Sequence, residues 1–258
     1  MNKELKKHIE KYLNSNTRYD NRKLTEFRKV SIEPDCIKTA EGSCRVKIGK
    51  TDVLVGVKFE LGKPYPDKLD QGTITVNTEL LPMSSPDFEP GPPGIDAIEI
   101  ARVVDRGIRE SGALDMKKLC VKKGELVWIV AIDICTLNHA GNILDAAGLA
   151  AIIALKTARY PSRKGENVDY KSLTKTKLSI KKTPIPITVL KIGKHFIVDP
   201  LVEEEKVLDS RLTITTTKDK KICSLQKAGD EPLSLEDIEK MIDLALEKSE
   251  EIRKIMKK

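Results

Sequence analysis

No Cys-x-x-Cys pair occurs in this 258-residue chain. Its five cysteines (Cys36, Cys44, Cys120, Cys135, Cys223) are odd in number and scattered. This argues against a zinc cluster or a disulfide framework, and the expected setting is cytoplasmic. Histidine is scarcer still: His8, His139 and His195, none with a carboxylate or cysteine at metal-ligand spacing. No metal and no cofactor are expected. There is no Gly-x-Ser-x-Gly, no P-loop and no Gly-x-Gly-x-x-Gly opening a helix. Long apolar runs are also missing. The longest, Ile143 to Leu155, includes Asp145 and is too short to cross a bilayer, so no membrane partner is expected. The start, MNKELKKHIEK, lacks the apolar core of a secretory signal. Aromatic residues are only 4% of the chain.

Aliphatic residues and charge are what remain. Hydrophobic residues make up 40% and charged ones 33%, a composition that folds. Lysine plus arginine outnumber aspartate plus glutamate 46 to 39, for a net charge of +7. That excess permits a nucleic-acid partner without requiring one; the placement of the charges decides.

Periodicity predicts a short amphipathic helix over Lys3 to Leu13, then β-rich runs at Val30–Ile32, Ser43–Ile48, Val53–Phe59 and Thr73–Asn77. Gly49 to Asp52 fits a hairpin turn. Val53 to Val57 is continuously apolar, as expected for a strand buried on both faces. A proline-rich loop, Pro82 to Pro93, precedes a helix expected to start with Asp96 as N-cap and to run to Glu110. Val127 to Leu137 reads as a strand, Asn138 to Asn142 as a turn, and Ile143 to Thr157 as a buried helix. Arg159 to Lys182 is polar and basic, a candidate linker, and its lysines Lys164, Lys171, Lys175 and Lys177 read as a solvated loop. Strands at Ile187–Ile192, His195–Val198, Leu212–Thr216 and Ile222–Leu225 follow, then a helix from Ser234 to about Lys257. Strands then helices, followed by strands then a helix, suggest an α+β fold of two similar halves.

Three of the 11 arginines fall within eight residues: Arg102, Arg106 and Arg109. On a helix they lie within about 60° of one another. Ile100, Val103, Val104, Gly107 and Ile108 take the opposite side. Guanidinium grips phosphate with a planar fork, so this face suits an anionic polymer. A solvated face paired with Asp105 and Glu110 is the alternative. Catalytic candidates are weaker. Asp133 is either catalytic or a buried, hydrogen-bonded aspartate. Cys135 reads as a small core residue rather than a nucleophile. Glu203-Glu204-Glu205 is metal-like by charge alone, and a solvated loop is the better reading.

Several segments resemble the RNase PH-like family over nearly the whole chain: Arg18-Tyr-Asp-Asn-Arg22, Glu41-Gly-Ser43, Glu99 to Ser111, Ile143 to Ala151 and Val198-Asp-Pro200. Within it, FEPGPPGIDAIEIARVVDRGIRES and VWIVAIDI are most similar to the non-catalytic ring subunits of archaeal exosomes. The resemblance implies an RNase PH-like fold (ribosomal protein S5 domain 2-like) of two pseudo-duplicated halves. The expected segments are an N-terminal helix at 1–17, a first half at 18–158, a linker at 159–182 and a second half at 183–258.

It also implies a hexameric ring, a trimer of heterodimers with a catalytic RNase PH-like subunit. RNA-binding cap proteins sit on that ring, and single-stranded RNA passes through it. The family's active members cradle phosphate with a Thr-Arg pair after glycine. Here the matching stretch is Gly148, Leu149 and Ala150, a degenerate phosphate site. The family's acidic position in the second half is matched by Arg211, or by Asp209 if the placement slips two residues. No catalytic residue is expected in this chain. The resemblance gives Arg102, Arg106 and Arg109 contacts to RNA phosphates. It therefore implies a subunit that binds RNA and shapes the partner's site for 3′-to-5′ phosphorolysis. An active phosphorolytic exoribonuclease and a non-RNA scaffold are the rival readings.

Overall fold

A computed structural model describes residues 3–256. Met1, Lys257 and Lys258, where the expected outer segments begin and end, lie outside the described residues. The elements run α1 (Lys3–Asn14), β1 (Val30–Pro34), β2 (Gly42–Ile48), β3 (Thr51–Gly62), β4 (Thr73–Leu80), α2 (Ile95–Ser111), β5 (Cys120–Lys122), β6 (Leu126–Asn138) and α3 (Ile143–Thr157). Then come β7 (Arg159–Lys164), β8 (Asn167–Lys177), β9 (Ile185–Ile192), β10 (His195–Val198), α4 (Val202–Glu205), β11 (Ser210–Thr216), β12 (Ile222–Ala228) and α5 (Leu235–Ile255). The α+β class and the two-halved plan are as expected.

The first sheet has the order β1-β2-β3-β6-β4, with β5 also paired to β6. Only the β4–β6 pairing is parallel, and α2 lies on the crossover between those two strands. The second sheet runs β10-β9-β11-β12, all antiparallel. Helix α3 packs on β2 and β3 of one sheet and on β9 of the other, and α2 bridges β4 to β12. The two helices therefore join the halves into one core. Gly148 is needed for this closeness: a Cβ there would stand 2.4 Å from the Pro186 ring.

Strand β9 serves two cores. Ile185, Ile187 and Val189 enter the main one, while Leu190 and Ile192 meet Ile9 and Leu13 of α1 in a smaller one. Sealing each of those α1 side chains contributes about 1.5–3 kcal/mol. Helix α1 is thus part of the second half's packing.

The Arg18 to Arg22 segment clamps the assembly. Arg18, 1% exposed, donates its Nε to Glu204 Oε1 (2.8 Å) and its guanidinium to the carbonyls of Val198 (2.8 Å) and Asp199 (2.9 Å). Arg22 and Arg28 converge on the buried Asp199 carboxylate at 2.9 and 2.6 Å. Burial opposes ionisation of Asp199, but the hydrogen bonds and charge of Arg28 outweigh it and hold the carboxyl below its usual range. Arg28 also reaches the carbonyl of Ala140 at 2.6 Å, so the network ties the strand β1 entrance to the turn before α3.

Four expectations need correction. The stretch from Arg159 to Lys182 is largely a β-hairpin, β7 with β8, not an unstructured linker. Strand β3 is not buried on both faces: Val53, Val55 and Val57 are sealed, Leu54 and Gly56 only half-buried. The N-cap of α2 is Gly94, so Asp96 lies in the first turn, where its charge favours the helix N-terminus. The Glu203 to Glu205 run belongs to the short helix α4, with Glu204 in the buried pair to Arg18.

Candidate nucleic-acid interface and the groove between the halves

Helix α2 splits into two faces. Ala97, Ile100, Val103, Val104, Gly107, Ile108 and Ser111 are buried at helical spacing, which fixes the rotation of the helix. Arg102, Arg106 and Arg109 then emerge together on the exposed side. Gly112 ends the helix in the left-handed region (φ 65°), donating its N–H to the Arg109 carbonyl.

The three arginines are not equivalent. Arg109 forks onto Asp105 at 2.7 and 3.2 Å and touches the Ile74 carbonyl at 3.3 Å, which braces α2 against β4. Among the described residues, Arg102 and Arg106 have no hydrogen-bond or ion-pair partner. Their guanidiniums are free for an external anion. The alternative of a face neutralised by Asp105 and Glu110 therefore applies to Arg109 alone.

Next to this helix, a cavity of about 290 Å³ lies between the halves. Asp87, Phe88, Glu99 and His139 line it from the first half, and Glu205, Lys206 and Arg211 from the second. Arg211 stands at the start of β11 and forms an ion pair with Glu99 of α2 at 2.5 Å. Its Nε is buried without a partner. Asp209, the other candidate for the family's acidic position, turns away: it pairs with Lys6 of α1 and accepts the Gly193 N–H at 2.6 Å. The groove therefore presents a guanidinium and not a carboxylate from this strand.

The N-terminus of α3 opens toward the same region. Helix N-termini collect anions through free N–H groups and the helix dipole. Here the Asn142 N–H is taken by the chain's own Glu205 carboxylate at 2.8 Å. Burial pushes the Glu205 carboxyl up to about 7, against the pull of that hydrogen bond and of Arg211. Burial lowers the pKa of His139, which stacks on Phe88 with ring centroids 5.2 Å apart.

Gly148, Leu149 and Ala150 are in the interior of α3, each fully or almost fully buried. The stretch matched to a phosphate cradle thus has neither a polar side chain nor access to solvent. Asp133 is exposed rather than buried, and it accepts a 3.2 Å hydrogen bond from Asn77. Cys135 is half-buried on the open face of β6, with its thiol 4.0 Å from Glu79, and is not a core residue. Burial, then Glu79, raises the pKa of that thiol. No group of three or more metal-ligating side chains occurs among the described residues, and no described helix is long and apolar enough to cross a membrane.

Sequence reasoning found the arginine helix but not the groove beside it. Glu99, His139 and Glu205 come from three distant stretches. Of the three, only Glu205 stands in a run that the sequence marks by its acidity.

One mixed and one antiparallel sheet with shared helices between them, and a groove where the halves meet, define an RNase PH-like protein. The model of the 3′ exoribonuclease family, domain 1, matches residues 26–161, and that of domain 2 matches residues 182–248. The chain belongs to this 3′ exoribonuclease (RNase PH) family. It is 50% identical over 239 residues to exosome complex component Rrp42 of Methanosarcina mazei, covering 92% of this chain and 87% of that one. It is 44% identical to the Pyrococcus abyssi protein of the same name, over 98% of this chain and 93% of that one. A solved structure described as the Archaeoglobus fulgidus exosome with RNA bound to the active site superposes with a TM-score of 0.91. Its identity is 45%, over 98% of this chain and 97% of that one. Rice Rrp46, at 19% identity over 93% of this chain and 98% of that one, shares the fold with a TM-score of 0.71.

Proposed function

We propose that this chain is a non-catalytic, RNA-holding ring subunit of an archaeal exosome acting in the cytoplasm. It pairs with a catalytic RNase PH-like subunit in a hexameric ring that carries RNA-binding caps. The partner supplies phosphate binding and acid chemistry for 3′-to-5′ phosphorolysis. This chain supplies Arg102 and Arg106, which hold the phosphates of the incoming strand and orient its end toward the partner's site. Such contacts are independent of sequence, as a nuclease gripping any single strand requires. Fixing the strand in place can by itself lower the barrier of the partner's reaction.

The observation that carries this reading is the pair of exposed, unpartnered guanidiniums on α2. Three features support the non-catalytic part. The stretch matched to the cradle is sealed in α3, Arg211 faces the groove while Asp209 pairs with Lys6, and Glu205 takes the N–H of Asn142, the N-cap of α3, where an anion would otherwise be received. Arg109, bound to Asp105, acts as a brace for the helix.

The test is phosphorolysis of a 3′-labelled single-stranded RNA in phosphate buffer. The purified chain is expected to release no nucleoside diphosphate, and release is expected on adding the catalytic partner. Robust release by the chain alone would overturn the proposal. Filter binding of the same RNA separates it from a scaffold that never touches RNA.

A further inference from the structure

The hairpin β7–β8 and the five residues after it concentrate the net charge of the molecule. Residues 159–182 hold eight basic side chains (Arg159, Arg163, Lys164, Lys171, Lys175, Lys177, Lys181 and Lys182) against two acidic ones, Glu166 and Asp169. These 24 residues therefore carry a net +6 of the chain's +7. Lys164, Lys171, Lys175 and Lys177 are exposed, and none has a carboxylate within ion-pair distance among the described residues. Hydrogen bonds from Ser172 and the Lys171 N–H hold the Asp169 carboxyl below its usual range, so it offsets part of this charge, and the remaining like charges stay close together on one hairpin. Apolar and aromatic surface is exposed alongside them: Tyr170 is 47% and Leu173 44% accessible. Lys58 of β3 lies 5.3 Å from the Tyr170 ring centroid.

The base of the hairpin is joined to the end of the arginine helix. Leu114, three residues beyond α2, bridges to Ile180. The Lys181 N–H bonds the Ala113 carbonyl at 2.8 Å, and the Lys181 ammonium pairs with Asp115 at 2.8 Å. Lys118 adds another cation at the same root, donating to Ser179 Oγ at 3.3 Å. The hairpin is thus fixed to the far end of the element that displays Arg102 and Arg106.

We propose that β7–β8 is a second contact surface for single-stranded RNA, distinct from the arginine helix. Its lysines meet backbone phosphates and Tyr170 offers a stacking surface for a base, the combination that grips single strands without regard to sequence. The inference rests on the reading that this chain meets RNA, but not on the role assigned to the arginines.

The experiment compares five full-length proteins: the wild type, Lys171→Glu/Lys175→Glu/Lys177→Glu, its milder Lys→Gln counterpart, Tyr170→Ala, and Arg102→Glu/Arg106→Glu. Each is titrated with fluorescein-labelled oligo-U and oligo-A over a range of salt concentrations, and circular dichroism confirms folding. The lysine-to-glutamate variant is expected to bind both RNAs roughly tenfold more weakly. The slope of log K against log salt should shrink by about 2, as expected when three lysines no longer neutralise phosphates of a single strand. The glutamine variant should show the same slope change with a smaller drop in affinity. Tyr170→Ala should weaken binding about fivefold with the slope unchanged.

Unchanged affinity and slope in both lysine variants would overturn the inference. If only the arginine variant loses RNA, the hairpin inference falls and the arginine reading stands; if only the lysine variants lose it, the reverse holds. A wild-type chain that binds no RNA at low salt overturns both. A parallel titration with polyglutamate tests an acidic protein partner: lysine variants that lose polyglutamate but keep RNA also overturn it.

Discussion

Arg211 on β11 and Glu99 on α2 form an ion pair at 2.5 Å across the groove between the two halves. Both side chains are mostly covered, and the Arg211 Nε has no partner of its own. The pair ties the second sheet to the helix that displays the free arginines, so it has a structural use where active relatives are expected to keep an acid. Removing one partner of a largely covered pair leaves the other charge uncompensated. Glu99→Ala is expected to lower stability by about 1–3 kcal/mol, read from the urea midpoint. Arg211→Asp should be at least as damaging, because it sets two carboxylates face to face, and it should restore no phosphorolysis. Phosphate-dependent product from Arg211→Asp alone would show that one side chain is all the site lacks.

Leu149 and Ala150 are 2% and 0% exposed in α3, packed between the two sheets. Writing the family's pair back as Leu149→Thr/Ala150→Arg would force a guanidinium into that core. An unpaired buried charge costs several kcal/mol, comparable to the whole stability of a domain. The double variant is expected to be recovered unfolded or aggregated, as judged by circular dichroism and gel filtration. A folded variant that binds phosphate would mean that α3 can open at this point.

How much of this was legible in the sequence depended on range. The arginine face of α2 was readable because one helical period sets its apolar and basic sides within 17 residues. Strands β2, β6 and β9 were readable from their apolar runs. The hairpin β7–β8 was missed because nine of the 11 residues of β8 are exposed and β7 buries only Pro161, so no repeating buried face marks its period. Asp133 was misjudged because β6 alternates one sealed face with one open one, and an apolar run hides that difference. The Arg18–Glu204 clamp joins residues 186 positions apart, and no local pattern records such a pairing.

Acidity gives a third prediction. Burial pushes the Asp145 carboxyl up to about 7, while Thr188 and Asn142 hydrogen-bond it at 2.7 and 3.0 Å. The folded state therefore keeps a proton that the unfolded chain releases near pH 4. With more protons on the folded form, stability falls as pH rises from about 4 to about 7. Glu205, also raised to about 7, acts in the same direction. Asp199 acts in the opposite one: its lowered pKa contributes stability at neutral pH that is lost on strong acidification. Asp145→Asn is expected to flatten the decline between pH 4 and pH 7 and leave the acid limb in place. Urea midpoints measured at half-unit steps of pH check this, and an unaltered slope in that window would refute it.

The last prediction separates three arginines that the sequence groups together. Arg102→Glu/Arg106→Glu reverses two exposed charges that have no partner to lose, so the fold should keep its stability to within about 0.5 kcal/mol. Binding of single-stranded RNA should nevertheless weaken at low salt, with the salt slope reduced by about 1.4 because two phosphates are no longer neutralised. Arg109→Ala should do the converse. It breaks the fork to Asp105 and the bond to the Ile74 carbonyl, costing about 0.5–1 kcal/mol of stability while the salt slope stays close to that of the wild type. Gel-shift titrations at several salt concentrations, with urea melts of the same preparations, read both quantities. A drop in RNA affinity in Arg109→Ala as large as that of the double variant would make the three arginines a single surface. The distinction between grip and brace would then fail.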